Sequence, residues 1–212
     1  MIFVKKQNNN TKNDFWIGFS DLMTGLMLVF IVLSLTFMAI AKQKLDENQK
    51  KQDKIIKILQ DELGSNGVAL DVDNEKGTIS VAQDILFEQK KSTLSPNGKV
   101  FIKLFSTILD TKIFNNSETA NLIDYIHIEG YASREGSENE NFIYGFNRAK
   151  NVWLNMTHNK LYNKDIMKRK LNIVSRGEIE ANQSIDDSKD RKVVFRFEFD
   201  DSIYKNLLGI SK

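Results

Sequence analysis

Apolar residues fall into three patterns along the chain. From Trp16 to Ala41 the run WIGFSDLMTGLMLVFIVLSLTFMAIA is apolar on every helical face beyond one charge, Asp21. About 20 such residues cross the hydrocarbon of a bilayer, and a helix that is apolar all round lacks the single stripe of a soluble surface helix. The pattern therefore predicts a transmembrane helix over 15–41, with Phe15 and Trp16 where aromatic rings favour the lipid–water boundary. Residues 1–14 form a polar tail before it. Across 42–66 the pattern reverses to KQKLDENQKKQDKIIKILQDEL and then GSN, charged and rich in helix formers. This predicts a helical connector. Its apolar residues Ile55, Ile56, Leu59 and Leu63 recur at helical spacing and serve either as a narrow dimer seam or as anchors on a solvated stalk. Gly64 and Gly67 end it.

From 67 to 212 strand alternation and helical periodicity take turns. Segments 68–72 and 78–81 flank a turn and read as a hairpin. Ser95 and Pro96 open a helix as N-cap and first helical residue, and Phe105, Ile108 and Leu109 share its apolar face. Residues 125–130 alternate as a strand, 141–156 read as a helix, and 171–175 and 192–199 as two further strands. The order predicts an α+β class, an α/β sandwich behind one membrane helix and its connector.

Composition narrows the chemistry. A net charge of +2 over 212 residues, with no basic block, argues against direct nucleic-acid binding. The chain has no cysteine and two histidines, His127 and His158, far apart in sequence. That excludes thiolate metal sites and a histidine metal cluster, and no nucleophile–base set or paired carboxylates stand out. Neither an enzyme, a metal site nor a bound cofactor is expected.

Asp21 is the residue that membrane physics singles out. An ionised carboxylate at this depth, roughly 8 Å in from Trp16, costs about 2.5–3.5 kcal/mol on insertion scales and ordinarily faces a protein interior or an ion path. Gly18, Thr24 and Gly25 share its face, giving one small and polar stripe on a bulky helix. Asp21, with Thr24 as a hydroxyl neighbour, is the candidate ion carrier for a proton or sodium, and the path needs helices from a partner. A cleaved signal peptide is the competing reading, since Ala39-Ile40-Ala41 precedes Lys42, but the apolar run exceeds a signal core of 7–15 residues. Lysines flank both ends of the helix, so the positive-inside rule alone does not orient it.

The run Trp16-Ile17-Gly18-Phe19-Ser20-Asp21-Leu22-Met23-Thr24 resembles the membrane helix of MotB-type stator subunits, and more closely the ZorB subunits of Zorya antiphage defence systems. Residues 79–199 resemble the OmpA-like peptidoglycan-binding domain. Ile85-Leu86-Phe87 precedes Leu94-Ser95-Pro96-Asn97-Gly98. Gly130-Tyr131-Ala132-Ser133 stands at the family's Gly-His/Tyr-Thr-Asp position, Asn141 and Arg148-Ala149 follow in register, and Gly177 and Asp190-Arg191-Lys192-Val193 close the match.

The resemblance implies a single-pass protein of the bacterial inner membrane, with a cytoplasmic N-terminus and a periplasmic C-terminal domain. It implies a homodimer inside five copies of a ZorA/MotA-like multi-helix subunit, membrane lipid around the helix and peptidoglycan as the anchor. Asp21 is then the ion-carrying carboxylate. Arg148 is the family arginine that, with an aspartate, holds the two ends of a diaminopimelate side chain. Ser133 replaces that aspartate here. A hydroxyl hydrogen-bonds an ammonium without neutralising it, and Glu135 is the nearest acid in sequence to substitute. Asn141 and Tyr144 shape the same pocket, and Arg191 braces it. A passive cell-wall tether and a flagellar MotB-type stator subunit are the alternatives.

Overall fold

The computed structural model describes residues 10–66, 71–74, 76–88, 91–182 and 188–200. Most of the tail expected over 1–14 and the first part of the expected hairpin, 68–70, lie outside them. The chain divides into two compact units, 1–47 and 48–212. Helix α1, Asn10–Ser65, contributes to both.

In the first unit α1 carries the apolar run. Its most apolar 18-residue window has a mean hydropathy of 2.4, and none of that window is buried. Trp16, Leu22, Phe30, Leu35 and Met38 are each more than 60% exposed. Apolar surface on this scale is unfavourable in water and marks a lipid or protein contact. Phe15, Trp16 and Phe19 cluster edge-on and stacked at its start, with centroids 6.2–6.4 Å apart.

The second unit is a five-stranded sheet. It holds β1 (Asp71–Asp73), β2 (Thr78–Ala82), β3 (Ile123–Tyr131), β4 (Leu171–Gly177) and β5 (Lys192–Phe199). The strand order is β1-β2-β5-β3-β4; β3 and β4 run parallel and the other pairs antiparallel. Helices are α2 (Gln83–Leu86), α3 (Pro96–Ile108), α4 (Ser117–Leu122), α5 (Glu138–His158) and α6 (Lys164–Lys170). A wider, π-helical turn over Leu109–Phe114 continues α3. Period-two alternation sends Ile126 and Ile128 of β3, Ile79 and Val81 of β2, and Val193, Phe195 and Phe197 of β5 into the core. Phe101, Ile102 and Phe105 of α3 and Ala149, Val152 and Met156 of α5 meet them there.

Local signals explain the helix starts. The Ser95 hydroxyl accepts from the Gly98 amide at 2.9 Å, with Pro96 in the first turn as expected. α5 begins at Glu138 rather than 141 because Ser137 and Glu140 form a reciprocal capping box. The Ser137 amide donates to Glu140 Oε2 at 2.9 Å.

The connector is helical, but neither expected use of its apolar residues holds. Ile55, Ile56, Leu59 and Leu63 are at most 1% exposed and belong to the core of the second unit. The compact unit thus starts within the helix, at Asn48, rather than at residue 67. Ion pairs Lys51–Glu118 at 3.4 Å and Glu62–Lys112 at 2.7 Å join this stretch to α4 and to the turn after α3. The four residues fill one narrow stripe, and a stripe that suits a second helix suits an apolar patch on the same chain equally well.

Candidate functional site

The site is built where β3 ends and α5 crosses it. Gly130 and Gly145 face each other backbone to backbone. A Cβ added at Gly130 would be driven into the Gly145 carbonyl, so only glycine allows this approach. The close crossing brings Arg148, one turn further along α5, to the end of β3. Its Nη1 donates to the Tyr131 carbonyl at 2.9 Å. The guanidinium lies over the Tyr144 ring at 4.9 Å and the Phe87 ring at 5.7 Å, a favourable cation–π setting. Arg148 is 2% exposed. Burial first, and then the neighbouring Arg191 charge, push its pKa down to about 10.

Arg191 Nη1 donates to the Ser133 hydroxyl at 3.3 Å, and Ser133 is buried. Ser133, Tyr144, Arg148 and Arg191, four residues expected to share a pocket, therefore gather at one cationic corner. Asn141 sits two turns before Arg148 on α5, buried, and its amide donates to Glu178 Oε2. Arg134 and Glu135 are exposed.

Sequence reasoning missed the polar cluster on the opposite face of the sheet. Glu129 is 1% exposed and accepts from Arg176 at 2.7 Å, from Arg196 at 2.9 and 3.1 Å, and from the Tyr131 hydroxyl at 2.9 Å. Burial alone would raise its carboxyl pKa; the donors, Arg196 foremost, outweigh it and hold the group at about 2. The Tyr131 hydroxyl is pushed up, by burial and by the Glu129 carboxylate. Tyr131 thus links this cluster through its hydroxyl to Arg148 through its carbonyl. The usable signal was the alternation itself: Glu129 and Tyr131 share a face with His127, and Arg196 pairs with His127 in the next strand. His127 lies on this face too, away from the core, its Nε2 2.7 Å from Glu198 Oε2.

In the first unit Asp21 and Thr24 stand one turn apart on α1, exposed. The Thr24 hydroxyl donates to the Ser20 carbonyl at 2.8 Å. A Cβ at Gly18 or Gly25 would meet nothing within 4 Å.

These features define a class by fold: an α/β sandwich with the fold of MotB periplasmic domains, carried on a chain with one long apolar helix. The periplasmic domain of Helicobacter pylori MotB superposes with a TM-score of 0.51 at 14% identity, covering 66% of this chain and 87% of that one. A MotB-like protein from Desulfovibrio vulgaris gives 0.50 at 18% identity over 74% and 95%. In sequence, the Zorya protein ZorB of Escherichia coli is 30% identical over 150 residues, 65% of this chain and 62% of that protein. The resemblance to ZorB read from the motifs therefore extends through most of the chain, while the match spans less than two thirds of that relative. No family model matches the chain.

Proposed function

We propose that this protein is the ion-carrying, wall-anchored subunit of a stator-type motor in the bacterial inner membrane, working in Zorya antiphage defence. The observation that carries the reading is the union, in one chain, of a lone carboxylate on an uncovered apolar helix with a MotB-type domain holding a buried arginine at its cationic corner. The likeness to the Zorya protein ZorB supports the defence setting over motility.

Asp21 is exposed on a helix that lipid or partner chains must cover, and lipid alone disfavours its charge. Partner helices of a ZorA/MotA-like ring supply the polar path. A proton or sodium taken up by Asp21 cancels its charge and lets the helix pass a lipid-like surface; release restores the charge and the preference for a polar contact. Thr24 retains its oxygen lone pairs for a passing cation while its proton is held by Ser20. Small residues at Gly18 and Gly25 leave room for close neighbours. In the second unit, Arg148 and Arg191 draw a carboxylate of the peptidoglycan stem, and the anchored domain lets ion passage turn the partner ring rather than this chain.

Asp21→Asn keeps the helix apolar and removes the titrating group. The expected result is normal membrane assembly with loss of phage protection in cells carrying the complete system. Full protection in that variant would leave the protein as a passive tether.

A further inference from the structure

We infer that the outer edge of β4 is a surface on which two copies of this chain pair, antiparallel about a two-fold axis. The inference rests on neither the ion-carrying nor the wall-anchoring reading.

β4 stands last in the strand order, with β3 as its one strand neighbour among the described residues. An edge strand offers a row of backbone donors and acceptors to another strand, and soluble proteins blunt such edges with very short strands, lysine, proline or bulges. β4 runs seven residues, Leu171–Gly177, without proline or lysine. Its pairing with β3 is regular from Leu171 to Ser175 and shifts only at the end. Its one charge, Arg176, is turned to Glu129 at 2.7 Å on the polar face of the sheet.

An apolar flank of α5 stands over that edge. α5 turns Tyr144 and Asn151 toward the segment from Phe87 to Ser92: Arg148 lies over the rings of Tyr144 and Phe87, and Asn151 donates to the Ser92 carbonyl at 2.8 Å. At 3.6 residues per turn, Phe142 and Phe146 fall on the other flank. That flank lies above β4, where the Ser175 hydroxyl donates to the Phe142 carbonyl at 2.6 Å. Phe142, Ile143 and Phe146 are 52%, 49% and 42% exposed, and Ile179, just past the end of the strand, is 77% exposed. Large apolar side chains gathered beside an unblunted edge mark a protein contact.

The charges around the edge select the occupant. At the start of β4 the last turn of α6 exposes Lys168 and Arg169, and at its end the first turn of α5 exposes Glu138 and Glu140. The length of the strand separates the two poles by roughly 20 Å, beyond the reach of about 8 Å that charge has in physiological salt, so each pole acts by itself. A second copy laid antiparallel brings its acidic pole to this chain's basic pole and the reverse, twice over by symmetry. A copy laid parallel sets like against like. The edge is self-complementary in one orientation, and there its apolar flank meets its own image.

The chain has no cysteine, so a single introduced thiol reports on pairing without interference. Asn172→Cys, Ile173→Cys, Val174→Cys and Ser175→Cys are made one at a time in the full chain, in detergent, and oxidised with copper phenanthroline. Covalent dimer is expected from the position nearest the axis, and none from Ser80→Cys, on β2 at the far side of the same sheet. Lys168→Glu with Arg169→Glu is expected to weaken pairing by about tenfold, the worth of a few exposed ion pairs. Adding Glu138→Lys to that variant is expected to restore part of it, a rescue that mere loss of structure does not allow. Absence of covalent dimer at all four β4 positions in the folded chain overturns the inference, as does equal yield from Ser80→Cys. Pairing unchanged by the charge reversal overturns the antiparallel arrangement. Cross-linking that appears only in a chain ending at Asp200 assigns the edge to the chain's own last residues and also overturns the inference.

Discussion

Gly130 and Gly145 show how much rests on two missing side chains. Their backbones touch where β3 passes α5, and this contact sets the distance from Arg148 to the Tyr131 carbonyl. Gly130→Ala has no flexible neighbour to push aside, because the atoms it strikes belong to backbone. The expected cost is about 3 kcal/mol or more, in the range of overpacking without relief, read as a lower urea midpoint with loss of sacculus binding. Glu129 acts at the same scale on the other face of the sheet. Replacing it with Gln removes the charge that Arg176 and Arg196 share. Both arginines keep partial access to water, so a loss of about 2–4 kcal/mol is expected, somewhat under the range for fully buried pairs.

Among the elements, the end of α1 carries the clearest consequence. Leu59 is fully buried within the second unit together with Ile55, Ile56 and Leu63. Leu59→Ala is expected to destabilise that unit by about 2–5 kcal/mol, as for other buried leucines, measured by denaturant unfolding. A dimer seam predicts a different outcome, a concentration-dependent loss of association with the fold intact. α5 shows the opposite economy. One helix sets Asn141, Tyr144 and Arg148 along the site, and its capping box fixes where it starts, so the spacing of the site follows from helical geometry.

For the whole molecule, the proposed function divides the work between the two units, which should then fail separately. Asp21→Asn is expected to end ion-dependent protection without releasing the protein from sacculi, a comparison that pull-down and phage plating make together. Acid acts on the second unit. Glu129 has its carboxyl held at about 2 against an ordinary 4.5. A depressed carboxylate contributes stability that is complete above the unfolded value and is lost as pH falls through the folded one. Unfolding midpoints should therefore be level at neutral pH and drop between about pH 4.5 and 2. Glu129→Gln, less stable at neutral pH, should flatten that slope.

The long apolar helix, the later strands, the two long helices α3 and α5 and the Ser95 cap were legible in the linear sequence because each follows from local periodicity or from a contact three residues long, whereas the short helices α2, α4 and α6 carry too few residues to show a period. Ser133, Tyr144, Arg148 and Arg191 were legible as a group only through a resemblance that supplied their long-range register. What the connector's leucine and isoleucines cover, and which acid faces Asn141, could not be read in that way. An apolar stripe is the same in sequence whether it meets another chain or its own domain, and Glu178 lies 37 positions from Asn141. Only the folding of β4 beside β3 and the tight turn at Gly177 bring them together, since proximity across a sheet is a property of topology rather than of spacing along the chain.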